Sequence, residues 1–139
     1  VIKAGMTTLA LDKLAYEFIN DNGAIPAFLN YNGFPNSLCI SPNEQVVHGF
    51  PSEYIIQEGD LISVDCGVIK NNYFGDSAYT FSIGEVDDEK QKLVDVTKHC
   101  LELGIEKAVV GMRTGDIGFA IQQYAEGNGF GVVRELVGP

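Results

Sequence analysis

The stretch LISVDCGVIKNNYFGDSAYTFS, residues 61–82, constrains the fold more than any other part of the chain. Two runs rich in β-branched and aromatic residues flank Asn71-Asn72, a dipeptide suited to the positive backbone angles of a two-residue hairpin turn. With that turn Lys70 opposes Tyr73, and alternate residues of each run sort onto two faces. Ile62, Val64, Cys66 and Val68 share one face with Gly75, Ser77, Tyr79 and Phe81, an apolar and aromatic surface fit for a core. The other face sets Asp65 opposite Ala78 and Gly67 opposite Asp76. The two carboxylates are then diagonal neighbours, about 7–8 Å apart at the backbone, with small residues beside each. A one-residue slip would move one of them to the other face.

Two carboxylates this close repel when both are ionised, which raises one pKa unless a cation sits between them. A divalent ion removes the difficulty, and two ions roughly 3.5–4 Å apart form a hydrolytic site. On residue types alone, strand aspartates serve equally as turn caps, solvated edge charges or members of structural networks.

The rest of the chain supplies helices and loops. TTLALDKLAYEFINDNG reads as a first helix, with Thr7 or Thr8 as N-cap, Leu11, Leu14, Ala15 and Phe18 on one face, and Gly23 as the stop. The proline-rich stretch from Ile25 to Glu53 reads as loops around short strands such as SLCIS and QVVHG. DDEKQKLVDVTKHCLELGIEKAVV predicts a long helix, with Asp87 as N-cap and Leu93, Val96, Cys100 and Leu103 at helical spacing. TGDIGFAIQQYAEGNG predicts another, beginning at Thr114 and ending before Gly129. A shift of 106 positions superposes the first of these helices on the last. Gly5-Met6 falls on Gly111-Met112, Thr8 on Thr114, Asn22-Gly23 on Asn128-Gly129, and Leu11, Leu14, Ala15 and Phe18 on Ile117, Ala120, Ile121 and Tyr124. Helix-cap grammar alone produces part of this match; a duplicated half-domain produces all of it.

Charge and composition exclude some functions. At 139 residues and 45% hydrophobic content the chain is long enough for a domain with a core, and its net charge of −10 repels a phosphate backbone or an anionic membrane. No apolar run is long enough to span a bilayer, and VIKAGMTT has no signal-peptide pattern, so a cytoplasmic location is expected. Cys39, Cys66 and Cys100, an odd count without CxxC spacing, read as reduced thiols.

NYNGFPNSLCISPNEQVVHGFPS, then GDLISVDCGV, then GDSAYTF resembles, in order and spacing, the N-terminal half of type I methionine aminopeptidases of the pita-bread metallopeptidase family. The resemblance covers nearly the whole chain. It implies an α+β pita-bread fold, an antiparallel sheet with covering helices, built of two pseudo-symmetric halves. Of these the chain holds a single partial catalytic domain, with repeat one at about 1–109 and the start of repeat two at about 110–139. It also implies removal of the initiator methionine from nascent proteins at a site of two divalent metal ions (Co, Mn, Fe or Zn), in an enzyme that is monomeric when complete. Carried over by position, Asp65 and Asp76 are metal ligands, with Asp76 bridging. His48 is a catalytic and substrate-binding residue that hydrogen-bonds the scissile peptide. Tyr31, Phe34 and Cys39 line the pocket for the methionine side chain, and His99 has no counterpart role.

The departures are specific. Where the family continues RELVG with a ligand His, this chain has Pro139, and the two glutamate ligands lie in a C-terminal half that it does not contain. The expected state of the 139 residues alone is therefore inactive. Two other readings compete. A related Xaa-Pro peptidase fits the fold, but NGFPNSLCIS argues against it. A pita-bread relative without catalysis, serving as a peptide-binding module, fits Pro139 but has no use for Asp65, Asp76 and His48 together.

Overall fold

The structure is a computed structural model that describes residues 1–134, so Pro139 lies outside the described residues. The chain forms two compact units, residues 1–86 and the remainder from Asp87 onward.

The first unit is built on the hairpin. Helix α1 spans Thr8–Asp21, followed by the short strand β1 (Ile25–Pro26), a 3-10 turn at Tyr31–Gly33, and strands β2 (Leu38–Pro42), β3 (Leu61–Lys70) and β4 (Tyr73–Ser82). Asn71 and Asn72 have φ of 52° and 65°, the left-handed pair that the tight turn requires. Lys70 pairs with Tyr73, Asp65 with Ala78 and Gly67 with Asp76. On the other side of β3, β2 sets Leu38 against Cys66 and Cys39 against Asp65, and β1 sets Pro26 against Val68. The sheet is antiparallel throughout, with β4 on its outer edge.

Its two faces differ in chemistry. Leu38, Ile40, Ile62, Val64, Cys66 and Phe81 point one way and pack with Ile56, Ile83, Met6, Leu11 and Ala15 into the core. Ile40, Ile56 and Ile62 are fully buried, each contributing roughly 1.5–3 kcal/mol of transfer free energy. The opposite face carries Cys39, Ser41, Ser63, Asp65, Gly67, Asp76, Ala78 and Thr80, with the Ser63 and Thr80 hydroxyls 2.8 Å apart.

Helix α1 is capped by the Thr7 hydroxyl, which accepts from the Ala10 amide, and it ends at Asn22 with Gly23 at φ 66°. Its inward face is rotated from the expected one. Leu11 and Ala15 pack on the core, but Leu14 and Phe18 are exposed and Asp12 is buried. The reason is tertiary. The backbone entering β2 has donors that need an acceptor, and Asp12 Oδ1 accepts from the Ser37 and Leu38 amides at 2.9 and 2.8 Å while Oδ2 accepts from Asn36 Nδ2. Asp12→Ala leaves two buried N–H groups unpaired and is expected to lower stability by roughly 2–5 kcal/mol, with Asp12→Asn milder. Urea unfolding midpoints of the two variants check this.

The expected strand QVVHG is absent. Asn43 turns the chain at φ 51°, Val46 and Val47 are exposed, and the segment runs as a loop. Valine's strand preference is overridden because the segment meets β2 at Gly49, where the Ile40 amide donates to the Gly49 carbonyl, and forms no ladder of cross-strand pairs along the valines.

The second unit is a helical hairpin of α2 (Asp88–Lys107) and α3 (Thr114–Gly127). Asp87 caps α2 by accepting from the Lys90 amide. Val96, Cys100 and Ala125 form its core, and Gly104 lets the side chains of Ile117 and Ile121 approach α2 closely. The offset seen in the sequence extends to the geometry of the two 14-residue helices. Gly5 and Gly111 both have positive φ (87° and 95°), as do Gly23 and Gly129. The Asn22 and Asn128 side chains donate to the carbonyls of Phe18 and Tyr124, both at 2.8 Å. The N-caps differ: the Arg113 amide donates to Asp116, in place of a hydroxyl cap.

Candidate active site

The polar face of the hairpin gathers three of the six candidate residues, Cys39, Asp65 and Asp76. The register places Asp65 and Asp76 on that face as diagonal neighbours, and Cys39 lies directly across from Asp65 on β2. Asp76 is on the exposed β4, whereas Asp65 sits between strands on both sides, and its Oδ1 is buried without a hydrogen-bond partner. Burial is the main force raising the Asp65 carboxyl above the usual range. The charge of Asp76 and a side-chain hydrogen bond to it raise it further, while His48 and the Cys66 amide pull it down. The Cys39 thiol is pushed up to about 11, by burial first and then by Asp65 and Asp76. It is therefore a neutral thiol at pH 7 and no thiolate ligand.

His48 reaches this face through the loop after β2. The Gly49 amide donates to Ser41 Oγ at 3.1 Å, and the Ile40 amide donates to the Gly49 carbonyl at 2.9 Å, which folds the loop back over the strand. A side chain at Gly49 would collide with the carbonyl of Ile40. His48 itself is exposed at φ 57°. Among the described residues the other non-glycine positions with positive φ are all asparagines, the residue that tolerates that region best. Histidine is, with asparagine and aspartate, among the side chains that enter this region most readily, but a non-glycine residue there is still uncommon and clusters at functional positions.

Of the expected pocket residues, Cys39 is buried beside Asp65 and Phe34 is half-buried with its ring edge-on to Phe50 at 5.1 Å. Tyr31 is 70% exposed on the 3-10 turn, away from any packed cluster. His99 is in the second unit, with Nδ1 3.0 Å from Glu102 and its ring against Tyr124. Sequence reading missed Gly49, Ser41, Gly67, Phe28 and Phe50. A glycine inside a strand signals close backbone approach, and Gly67 carried that signal. Among the described residues no three His, Cys, Asp or Glu side chains come together in a metal-binding arrangement. The donor set still suits a hard or borderline divalent cation in part, because a buried carboxylate oxygen with no donor faces a second carboxylate.

The match to metallopeptidase family M24 spans residues 1–139, and the chain belongs to that family. It is 54% identical over 137 residues to a methionine aminopeptidase of Clostridium acetobutylicum, and 47% identical to methionine aminopeptidase 1 of Bacillus subtilis. These alignments take in 98% and 99% of the chain, which spans 55% of the length of each of the two proteins. The crystal structure of methionine aminopeptidase from Rickettsia prowazekii superposes with a TM-score of 0.94 at 40% identity, over 96% of this chain and 54% of that one. An X-Pro aminopeptidase from Thermotoga maritima shares the fold at a TM-score of 0.79 and 23% identity, over 94% of this chain and 35% of its own. The architecture is the α+β pita-bread fold. No described helix is long and apolar enough to cross a membrane.

Proposed function

We propose that this chain forms the N-terminal part of a methionine aminopeptidase and supplies two of its metal-binding carboxylates. The observation that carries the proposal is the buried, unpartnered Oδ1 of Asp65 beside Asp76 on a polar sheet face, with His48 near enough for its charge to act on Asp65. The relatives at 54% and 47% identity, named methionine aminopeptidases, support the substrate class. Asp65 and Asp76 would hold divalent ions of the Co, Mn, Fe or Zn type, two in the complete enzyme. Bound there, such ions supply Lewis acidity and a nucleophile at neutral pH.

The chain's own residues do the rest. His48 donates a hydrogen bond to the scissile peptide, and its contact strengthens as negative charge develops. Cys39 presents a neutral, polarisable sulfur, and Phe34 an aromatic edge, to the thioether of an N-terminal methionine; Tyr31 closes over it from the 3-10 turn. Repeat one at about 1–109 and the opening of repeat two at about 110–139 belong to one catalytic domain, and the equal caps at the 106-residue offset support that duplication. With the activity go a cytoplasmic location, where new chains emerge, and a monomeric enzyme.

In the full-length enzyme, His48→Ala is expected to leave metal content near normal and to lower kcat more than it raises KM on a Met-Ala-Ser peptide. Elemental analysis and steady-state kinetics check this together. Loss of metal from the His48 variant would make that residue a ligand and overturn its assignment.

A further inference from the structure

The polar face carries an aromatic feature that the carboxylates and His48 do not explain. Gly67, directly opposite Asp76, is buried, and a Cβ there would lie 2.5 Å from Cε1 of Phe28 and 3.0 Å from its Cδ1 and Cζ. The Phe28 ring therefore rests on the bare backbone beside Asp76, and the adjoining Ala27 amide ties the segment down by donating to the Gly67 carbonyl at 2.8 Å. From Phe28 the contact passes edge-on to Phe34, at 6.5 Å and 87° between rings, and from Phe34 edge-on to Phe50, at 5.1 Å and 77°. Phe50 is two residues beyond His48, after Gly49, whose backbone is bonded to β2. Three rings in two edge-on contacts thus run from the strand position facing Asp76 to the loop that carries His48. Edge-to-face pairs are directional, so each ring restricts its neighbour.

We propose that Gly67, Phe28 and Phe50 are positioning residues, linked through Phe34, that fix His48 relative to the Asp65–Asp76 pair. The loop needs such support. His48 is exposed in the left-handed backbone region, the two valines before it are also exposed, and Phe50 after it is 62% exposed, so its contact with Phe34 is the loop's aromatic link to the sheet. Gly67 is required because any side chain would lift the first ring off the sheet.

The inference rests on the aminopeptidase reading, and its test uses the metal-loaded full-length enzyme that contains this segment. Phe50→Leu is expected to lower kcat on Met-Ala-Ser about tenfold with KM and metal content nearly unchanged, since a misplacement of order 1 Å is enough for that. In a His48→Ala background the same Phe50→Leu change should cost less than about twofold, because its effect acts through the missing imidazole. Gly67→Ala should also lower kcat, and Phe28→Leu in the same chain should restore most of the loss by vacating the space. The His48 ring resonances, assigned by their absence in His48→Ala, should shift in both Phe50→Leu and Gly67→Ala, whatever substrate the enzyme takes.

An equal loss from Phe50→Leu with and without His48 would overturn the proposal. So would unmoved His48 resonances, or a fall in melting temperature with kcat intact. If Gly67→Ala does not fold, the Phe50 cycle and its resonances decide. A wild-type enzyme silent on Met-Ala-Ser would count against the aminopeptidase reading instead, while the resonances still judge the positioning chain.

Discussion

Asp76→Asn in the full-length enzyme is expected to abolish methionine release and to weaken metal binding by more than about a hundredfold, the upper end of what losing a mere supporting contact costs. An amide oxygen is a poorer donor than a carboxylate and cannot bridge two cations as strongly. Asp65→Asn should be equally severe. Its Oδ1 is buried with no donor, and an amide there removes the negative charge that a cation beside Asp76 would need while leaving that oxygen a weaker ligand. Metal titration by calorimetry, paired with a Met-Ala-Ser assay, checks both variants. Near-normal metal affinity in either would remove that residue from the ligand set.

The second large effect concerns the 139-residue segment by itself. No described cluster reaches three candidate ligands, so the segment should bind Mn(II), Co(II) or Zn(II) weakly and release no methionine. Supplying the C-terminal half of a methionine aminopeptidase, fused or in trans, should restore tight binding. It should also restore cleavage of Met-Ala-Ser, with little cleavage of Met-Lys-Ser, the preference for a small second residue that the family resemblance implies. A folded, metal-loaded reconstituted protein that cut only before proline would move the chain to the Xaa-Pro peptidases. One that cut neither peptide would leave a peptide-binding module.

The placement of Asp65 and Asp76 was legible because both sit on a hairpin whose turn determines its register. Asn71-Asn72 specifies a two-residue connection, and from that alone every cross-strand pair follows, including the diagonal of Asp65 and Asp76. The caps of α1 and α2 were legible for a similar reason: a hydroxyl or carboxylate three residues before an unpaired amide is a local signal. What escaped depends on distant partners. Asp12 turns inward because Ser37 and Leu38, far along the chain, offer amides that need an acceptor. The valines before His48 suggest a strand in isolation, yet the loop is shaped by Asn43 and by the approach of Gly49 to Ile40. The seat of Phe28 on Gly67 joins two segments whose proximity exists only once β1 has docked on β3.

The outer rim of β4 raises a matter of timing. Residues 73–79 are all exposed, Tyr73 and Phe74 by 79% and 77%, and among the described residues the strand pairs only with β3. An aromatic rim with unspent amides and carbonyls is a template for adding another strand, including one from a neighbouring molecule. A ribosome delivers this hairpin before anything that follows it, at about 5–20 residues per second. During that interval the rim is open to mispairing on crowded polysomes. Gly75 and Asp76 interrupt it with a bare backbone and a charge, so the carboxylate proposed as a metal ligand also disfavours pairing of the nascent chain with its own copies.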